Sequence, residues 1–130
     1  AASDVYKRQD SVKTRLRKVL AHRQVYFFMP PANGFGRSGV FDFVCCINGR
    51  FLGIETKRDA KEAPTTLQSL NASLALGAGG VVLLIHKDNV ELVAHTIDAM
   101  MRGEYPPSYW PPSKPLTDDP APRLRRKEAP

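Results

Sequence analysis

Two acids and a lysine within GVFDFVCCINGRFLGIETKR, residues 39 to 58, have the types and spacing to do chemistry. Asn48-Gly49 lies between two apolar runs. That is the strongest short signal for a hairpin, because a type I′ turn needs positive φ at both central residues. With Ile47 facing Arg50 across the turn, each step back on one strand matches a step forward on the other. Asp42 then falls directly across from Glu55. The position is a non-hydrogen-bonded pair with Cα atoms roughly 4.5 Å apart, where facing like charges destabilise a hairpin. A divalent cation between the carboxylates turns the repulsion into a binding site, since hard cations take carboxylate oxygens. Lys57 follows two residues after Glu55, on the same face by strand alternation. Asp42 and Glu55 are thus candidate metal ligands, with Lys57 the cation beside them. The plainer alternative for Asp42 is a structural acid satisfied by hydrogen bonds.

The elements that must position this trio are legible as periodic patterns. Val12, Leu16, Val19 and Leu20 predict a helix over 11–22, with Lys13, Arg15, Arg17 and Lys18 on its remaining surface. Those cations fit a solvated face or a phosphate-contacting one. A short strand over 25–29 ends at Pro30-Pro31. The loop ANGFGRSG, 32 to 39, leads into a strand rather than a helix, which argues against a phosphate-cradling motif. Its glycines are expected to let backbone approach a ligand, with Arg37 and Ser38 beside the site.

In the first hairpin strand Val40, Asp42 and Val44 share one face, and Phe41, Phe43 and Cys45 the other. In the second, Phe51, Gly53, Glu55 and Lys57 share a face, with Leu52, Ile54 and Thr56 behind. A helix is expected from Pro64-Thr65-Thr66 to about Leu76, capped by threonine, stopped near Gly77, with Leu67, Leu70 and Leu74 as its core stripe. GVVLLI, 80 to 85, reads as a strand buried on both faces. A last helix, capped by Asp88 or Asn89, carries the stripe Val90, Val93, Ala94, Ile97, Met100 and Met101 and ends at Gly103. His22, His86 and His95 have no ligand-like spacing and are assigned no role.

Composition sets the outer bounds. The chain has 130 residues, 42% hydrophobic and 25% charged, with formal net charge +6. These values fit one soluble domain and favour a polyanionic partner. No apolar run approaches a membrane span of about 20 residues, and no signal peptide opens the chain. Cys45 and Cys46 are neighbours on opposite faces of one strand. Reading them as buried thiols implies a reducing, cytoplasmic compartment. Three regions are expected: 1–10 as an N-terminal extension, 11–103 as the folded domain and 104–130 as a tail. Asp4 to Gln9, DVYKRQ, looks like the in-frame translation of a sequencing adaptor and is expected to be non-native. Eight of the eleven prolines fall in 104–130, so the tail is expected to be extended or disordered, with Tyr105, Tyr109 and Trp110 as points that tack its start to the domain. RLRRK, 123 to 127, suits non-specific phosphate contacts.

The order helix, strand, hairpin, helix, strand, helix, with Asp on the second strand and Glu-x-Lys on the third, resembles the PD-(D/E)xK nuclease superfamily. Within it, GRSGVFDFV, FLGIETKR and TTLQSLNASLALGAGGVVLLI look most like the VRR-NUC family of phage and bacterial replication, repair and recombination proteins, over about residues 11 to 100. The resemblance implies an α/β, restriction-endonuclease-like core: a central mixed four-stranded sheet flanked by helices, αβββαβ plus a C-terminal helix. It implies metal held by Asp42, Glu55 and the Thr56 carbonyl, water positioned by Lys57, and Gln68 supporting from the next helix. Mg²⁺ or Mn²⁺ is the expected ion, and hydrolysis of DNA phosphodiesters the expected reaction. Arg37, Ser38, Arg58 and Lys61 are the candidate DNA contacts. No stretch reads as devoted to base edges, so selectivity for DNA structure is expected over sequence, and a homodimer by analogy. Phe41 stands where the family often has proline. The first helix lacks the glutamate that often completes the metal site, with Asp10 the nearest stand-in. Two further readings fit the same residues: a non-catalytic DNA-binding module of the same fold with an incomplete metal site, and a domain with a Ca²⁺ clip.

Overall fold

The computed structural model describes residues 2–31 and 39–112, with side chains from residue 11 onward. The elements follow in the order α1 (Ala2–His22), β1 (Tyr26–Phe28), β2 (Phe43–Ile47), β3 (Arg50–Thr56), α2 (Thr66–Gly77), β4 (Val81–Ile85) and α3 (Glu91–Met101). They form an α/β fold with one open mixed sheet, ordered β1-β2-β3-β4, whose β3–β4 pair is parallel and whose other pairs are antiparallel. The expected hairpin forms in the expected register. Ile47 pairs with Arg50 and Phe43 with Ile54, and Asn48 (φ 54°) and Gly49 (φ 81°) supply the two positive φ angles of the turn.

Alternation along the strands divides the interior into two layers. Phe43, Cys45, Ile47, Leu52, Ile54, Val81, Leu83 and Ile85 face α1 and α3, which contribute Val12, Leu16, Leu20, Val93, Ile97 and Met100. The opposite face carries a smaller core of Phe41, Ala72 and Val82 beneath α2. Phe41 therefore lies on the face opposite to Phe43, not beside it as simple alternation predicts. The chain bends at Asp42, before β2 begins, and the bend turns Phe41 across the sheet. There its ring lies against Gly53, Phe51 and Trp110.

Helix α2 is capped as expected but rotated from expectation. Leu67, Leu70 and Leu74 are 53%, 48% and 54% exposed, while Ala72 is the buried residue. The helix turns its small and polar side to the sheet, so the leucines point outward. Close approach is the physical reason: a Cβ on Gly39 would meet the Leu67 backbone at 2.8 Å and one on Gly80, just before β4, would lie 3.1 Å from the Ala75 carbonyl, so the helix sits on its small residues. Gly39 thus lets the chain pass close to the start of α2, and Gly34 and Gly36 of the same loop lie outside the described residues. Other expectations also shift. Helix α1 begins at Ala2 rather than near Ser11. Neither Asp88 nor Asn89 caps α3, whose cap residue is Val90 with no side-chain cap bond; Asn89 Oδ1 accepts from the His86 N–H at 2.7 Å and braces the turn after β4. Met101 is exposed, and so is Cys46, whereas Cys45 is buried and its thiol pKa pushed up to about 12 by desolvation.

The domain also runs past Gly103. Tyr109 extends the sheet at the β4 edge: its N–H donates to the Val82 carbonyl at 2.9 Å, and its carbonyl accepts from the Leu84 N–H at 2.8 Å. Trp110 bonds Ser69 through Nε1 at 3.3 Å. The first part of the proline-rich segment is thus docked, as its aromatic residues suggested, and covers what would be an open strand edge. RLRRK lies outside the described residues. No helix among the described residues is long and apolar enough to cross a membrane.

The Phe41–Gly53 contact is directly testable. A Cβ at residue 53 would lie 2.6 to 2.7 Å from the Phe41 ring, so Gly53→Ala should lower stability by about 1–3 kcal/mol, as overpacking does. Urea denaturation checks this, and Phe41→Leu in the same chain should recover part of the loss.

Candidate active site

The carboxyl ends of the parallel strands β3 and β4 are where the candidate residues gather. Strand β3 delivers Glu55 and Thr56 to opposite faces and leads directly into Lys57, whose N–H donates to the Ile85 carbonyl at 2.8 Å. The β2–β3 ladder ends at the Phe43–Ile54 pair, and Asp42 lies one residue before β2. Asp42 is therefore not a paired strand residue facing Glu55 in the ladder, although the register is as expected. Its Oδ2 accepts from the Thr56 N–H at 2.9 Å and from the Thr56 Oγ1 hydroxyl at 2.6 Å. Short acidic side chains can replace a main-chain carbonyl in this way, and here the replacement ends the ladder. Lys13 Nζ of α1 lies 3.8 Å from Asp42 Oδ1.

Glu55 is only 4% exposed. Its Oε2 accepts from Gln68 Nε2 at 2.7 Å, while its Oε1 is buried without a hydrogen-bond partner. The pKa of Glu55 is pushed up to about 8, first by burial and then by the charge on Asp42. Lys57, the Asp42 amide and Lys13 act in the opposite direction but do not overcome these effects.

Gln68 ties the site to α2. Its Oε1 accepts from Lys57 Nζ at 2.9 Å and from the Thr65 N–H at 2.9 Å, and its own N–H donates to Thr65 Oγ1 at 3.1 Å. The last two bonds form a capping box. One amide thus holds the helix start and bridges Lys57 to Glu55.

The oxygen set fits a hard divalent cation. Asp42 Oδ1 and Glu55 Oε1 are not engaged in hydrogen bonds to Thr56 or Gln68, and Glu55 Oε1 is a buried acceptor lacking a donor. The Thr56 N–H points at Asp42, and a strand residue's C=O lies on the same side as its N–H, so the Thr56 carbonyl faces that edge too. Among the described residues no group of three or more His, Cys, Asp or Glu side chains is gathered. Two carboxylates suit Mg²⁺, which keeps several waters in its shell.

The outer candidates divide. Arg58 Nη1 lies 3.5 Å from Glu62 and its Nε 3.9 Å from Asp59, so the Arg58 side chain is engaged by acids; Lys61 is exposed. Arg37 and Ser38, and the side chain of Asp10, lie outside the described residues. Lys13 was missed as a site residue because nothing in its sequence sets it apart from the other cations of α1. The position of Gln68 was readable without any resemblance: Thr65-x-x-Gln68 matches the capping-box spacing, which fixes the amide at the helix start.

A pH dependence follows. Folding raises the Glu55 pKa from 4.5 to about 8, so between those values the folded chain holds a proton the unfolded chain has released. Metal-free protein should therefore lose stability as pH rises from about 4.5 to about 8 and level off above. Tenfold in proton affinity is about 1.4 kcal/mol, so the loss amounts to several kcal/mol. Melting temperatures across that range, compared with Glu55→Gln, check it: the variant should lack this slope and gain most over the parent at alkaline pH.

Compared with family models, curated proteins and solved structures, the chain matches none.

Proposed function

We propose that this chain is a divalent-metal-dependent DNA endonuclease of the PD-(D/E)xK type, resembling the VRR-NUC family of phage and bacterial DNA replication, repair and recombination proteins. The observation that supports it best is Glu55: a buried carboxylate beside Asp42, with one oxygen lacking any donor. A fold that needed only stability has no use for such a group, because a buried polar oxygen without a partner is costly. Asp42, Glu55 and the Thr56 carbonyl would hold Mg²⁺ or Mn²⁺. When bound, the ion supplies Lewis-acid polarisation of a phosphoryl oxygen and acidifies a coordinated water. Lys57, fixed by Gln68, orients the attacking water and offsets the charge that builds on the phosphorane. Lys61 is a backbone contact that positions the substrate without reading sequence.

A homodimer belongs to this reading, since two copies bring two sites to two strands. The face proposed to join them is the outward strip Leu67, Leu70 and Leu74. Helix α2 carries no charged residue, so copies of a chain with net charge +6 can meet there without close repulsion.

One observation favours the non-catalytic DNA-binding module instead: Asp42 Oδ2 is fully used by Thr56, so Asp42 has structural work without any metal. Nicking of supercoiled plasmid with Mg²⁺ or Mn²⁺ separates the two. The nuclease should nick, and Glu55→Ala and Lys57→Ala should each lower the rate by about 10²–10³-fold, the scale of losing one preorganised electrostatic group. Both variants should still bind DNA. Binding without nicking by the parent would establish the module.

A further inference from the structure

Beyond Lys57, on the β4 side of β3 and so away from Asp42, lies a cleft of about 200 Å³. Its walls are the loop that follows β3, the end of β4 at Leu84 and His86, and the docked segment at Tyr109 and Pro111. Sites for whole small molecules run roughly 300–1,000 Å³. This cleft therefore suits one unit of a polymer whose remainder lies elsewhere on the protein.

The lining supplies a stacking surface. Tyr109 is 50% exposed, although its backbone is fixed to β4 on both sides. Its neighbour Trp110 is anchored by Ser69 and packs edge-on against Phe41. An aromatic ring on so rigid a support loses little freedom when a flat ligand covers it. Pro111 is the second apolar wall.

The polar lining favours an anion despite two acids. Asp59 and Glu62 both line the cleft, but Arg58 lies within 3.9 Å of the first and 3.5 Å of the second. Asp59 Oδ1 also accepts the Lys61 N–H at 2.9 Å. The Lys61 side chain is exposed and in no ion pair among the described residues. His86 Nδ1 accepts from the Asp88 N–H at 3.1 Å, with the exposed Asp88 carboxylate 3.9 Å from the same atom; the ring proton then sits on Nε2, which is the donor.

We infer that this cleft is a nucleotide subsite, in which an unpaired base stacks on Tyr109 and its phosphate meets Lys61 and His86. The inference rests on the nuclease reading and gives that reading its substrate class: DNA with a single-stranded branch or end beside the scissile phosphate. A base inside a duplex is already stacked on both faces and has none to offer the ring.

Fluorescence anisotropy in EDTA, where nothing is cut, tests the subsite separately from catalysis. The probes are a labelled duplex carrying a single-stranded flap and the same duplex without it. The parent should bind the flapped probe about tenfold more tightly, within the range of one base–aromatic stack. Tyr109→Ala should abolish the difference, Tyr109→Phe should keep it, and Lys61→Ala should reduce it. The exposed Lys61 variant decides the matter if Tyr109→Ala does not fold. An equal affinity of the parent for both probes overturns the subsite, as does a flap preference unchanged in folded Tyr109→Ala and Lys61→Ala. Either result leaves the nuclease reading to plasmid nicking, whereas a parent that binds neither probe overturns both.

Discussion

A pair of acids, one of them taken out of water, sets the terms for this end of the sheet. Asp42 and Glu55 belong to one hairpin, and their repulsion adds to the burial of Glu55. The fold treats the two acids unequally. Asp42 is turned out of the ladder and bonded twice to Thr56, with Lys13 nearby. Glu55 stays in the strand, buried, with Gln68 as its side-chain donor. Local geometry explains the division: only the residue beyond the last ladder pair is free to bend, and Asp42 occupies that place.

The bend propagates. Turning Asp42 aside carries Phe41 to the α2 face, where its ring fills the space that Gly53 leaves open. Helix α2 then sits close to the sheet on small residues, and its first turn brings Gln68 between Lys57 and Glu55. Site and helix cap share one side chain. A shift of α2 along the sheet therefore cannot occur without disturbing Lys57.

Much of this was legible in the sequence. The Asn48-Gly49 turn fixed the β2–β3 register, which brought the acid pair and Lys57 together. The stripes of α1 and α3 and the apolar run of β4 placed the main core. What escaped was set by tertiary contact. The period of α2 gave a leucine stripe, but periodicity does not say which side a helix presents, and the small side around Ala72 fits closer to the sheet. Alternation put Phe41 beside Phe43 because a bend has no signature in a two-residue period. Proline content suggested an extended or disordered tail over 104–130, yet irregular backbone can still dock on a strand edge, as Tyr109 does. Lys13 reaches Asp42 from α1, while His86 and Tyr109 reach the cleft beyond Lys57 from two other distant segments, and no local spacing announces that.

The unequal anchoring of the two acids has a consequence for how such a protein decays over generations. Asp42 is woven into the hairpin, so its loss would fray the strand end. Glu55 is a burden to the resting fold, and a neutral side chain of similar shape relieves it. Under the proposed nuclease reading, a lineage released from selection for metal binding would drift first at residue 55, keep residue 42 as scaffolding, and arrive at an intact, sturdier descendant.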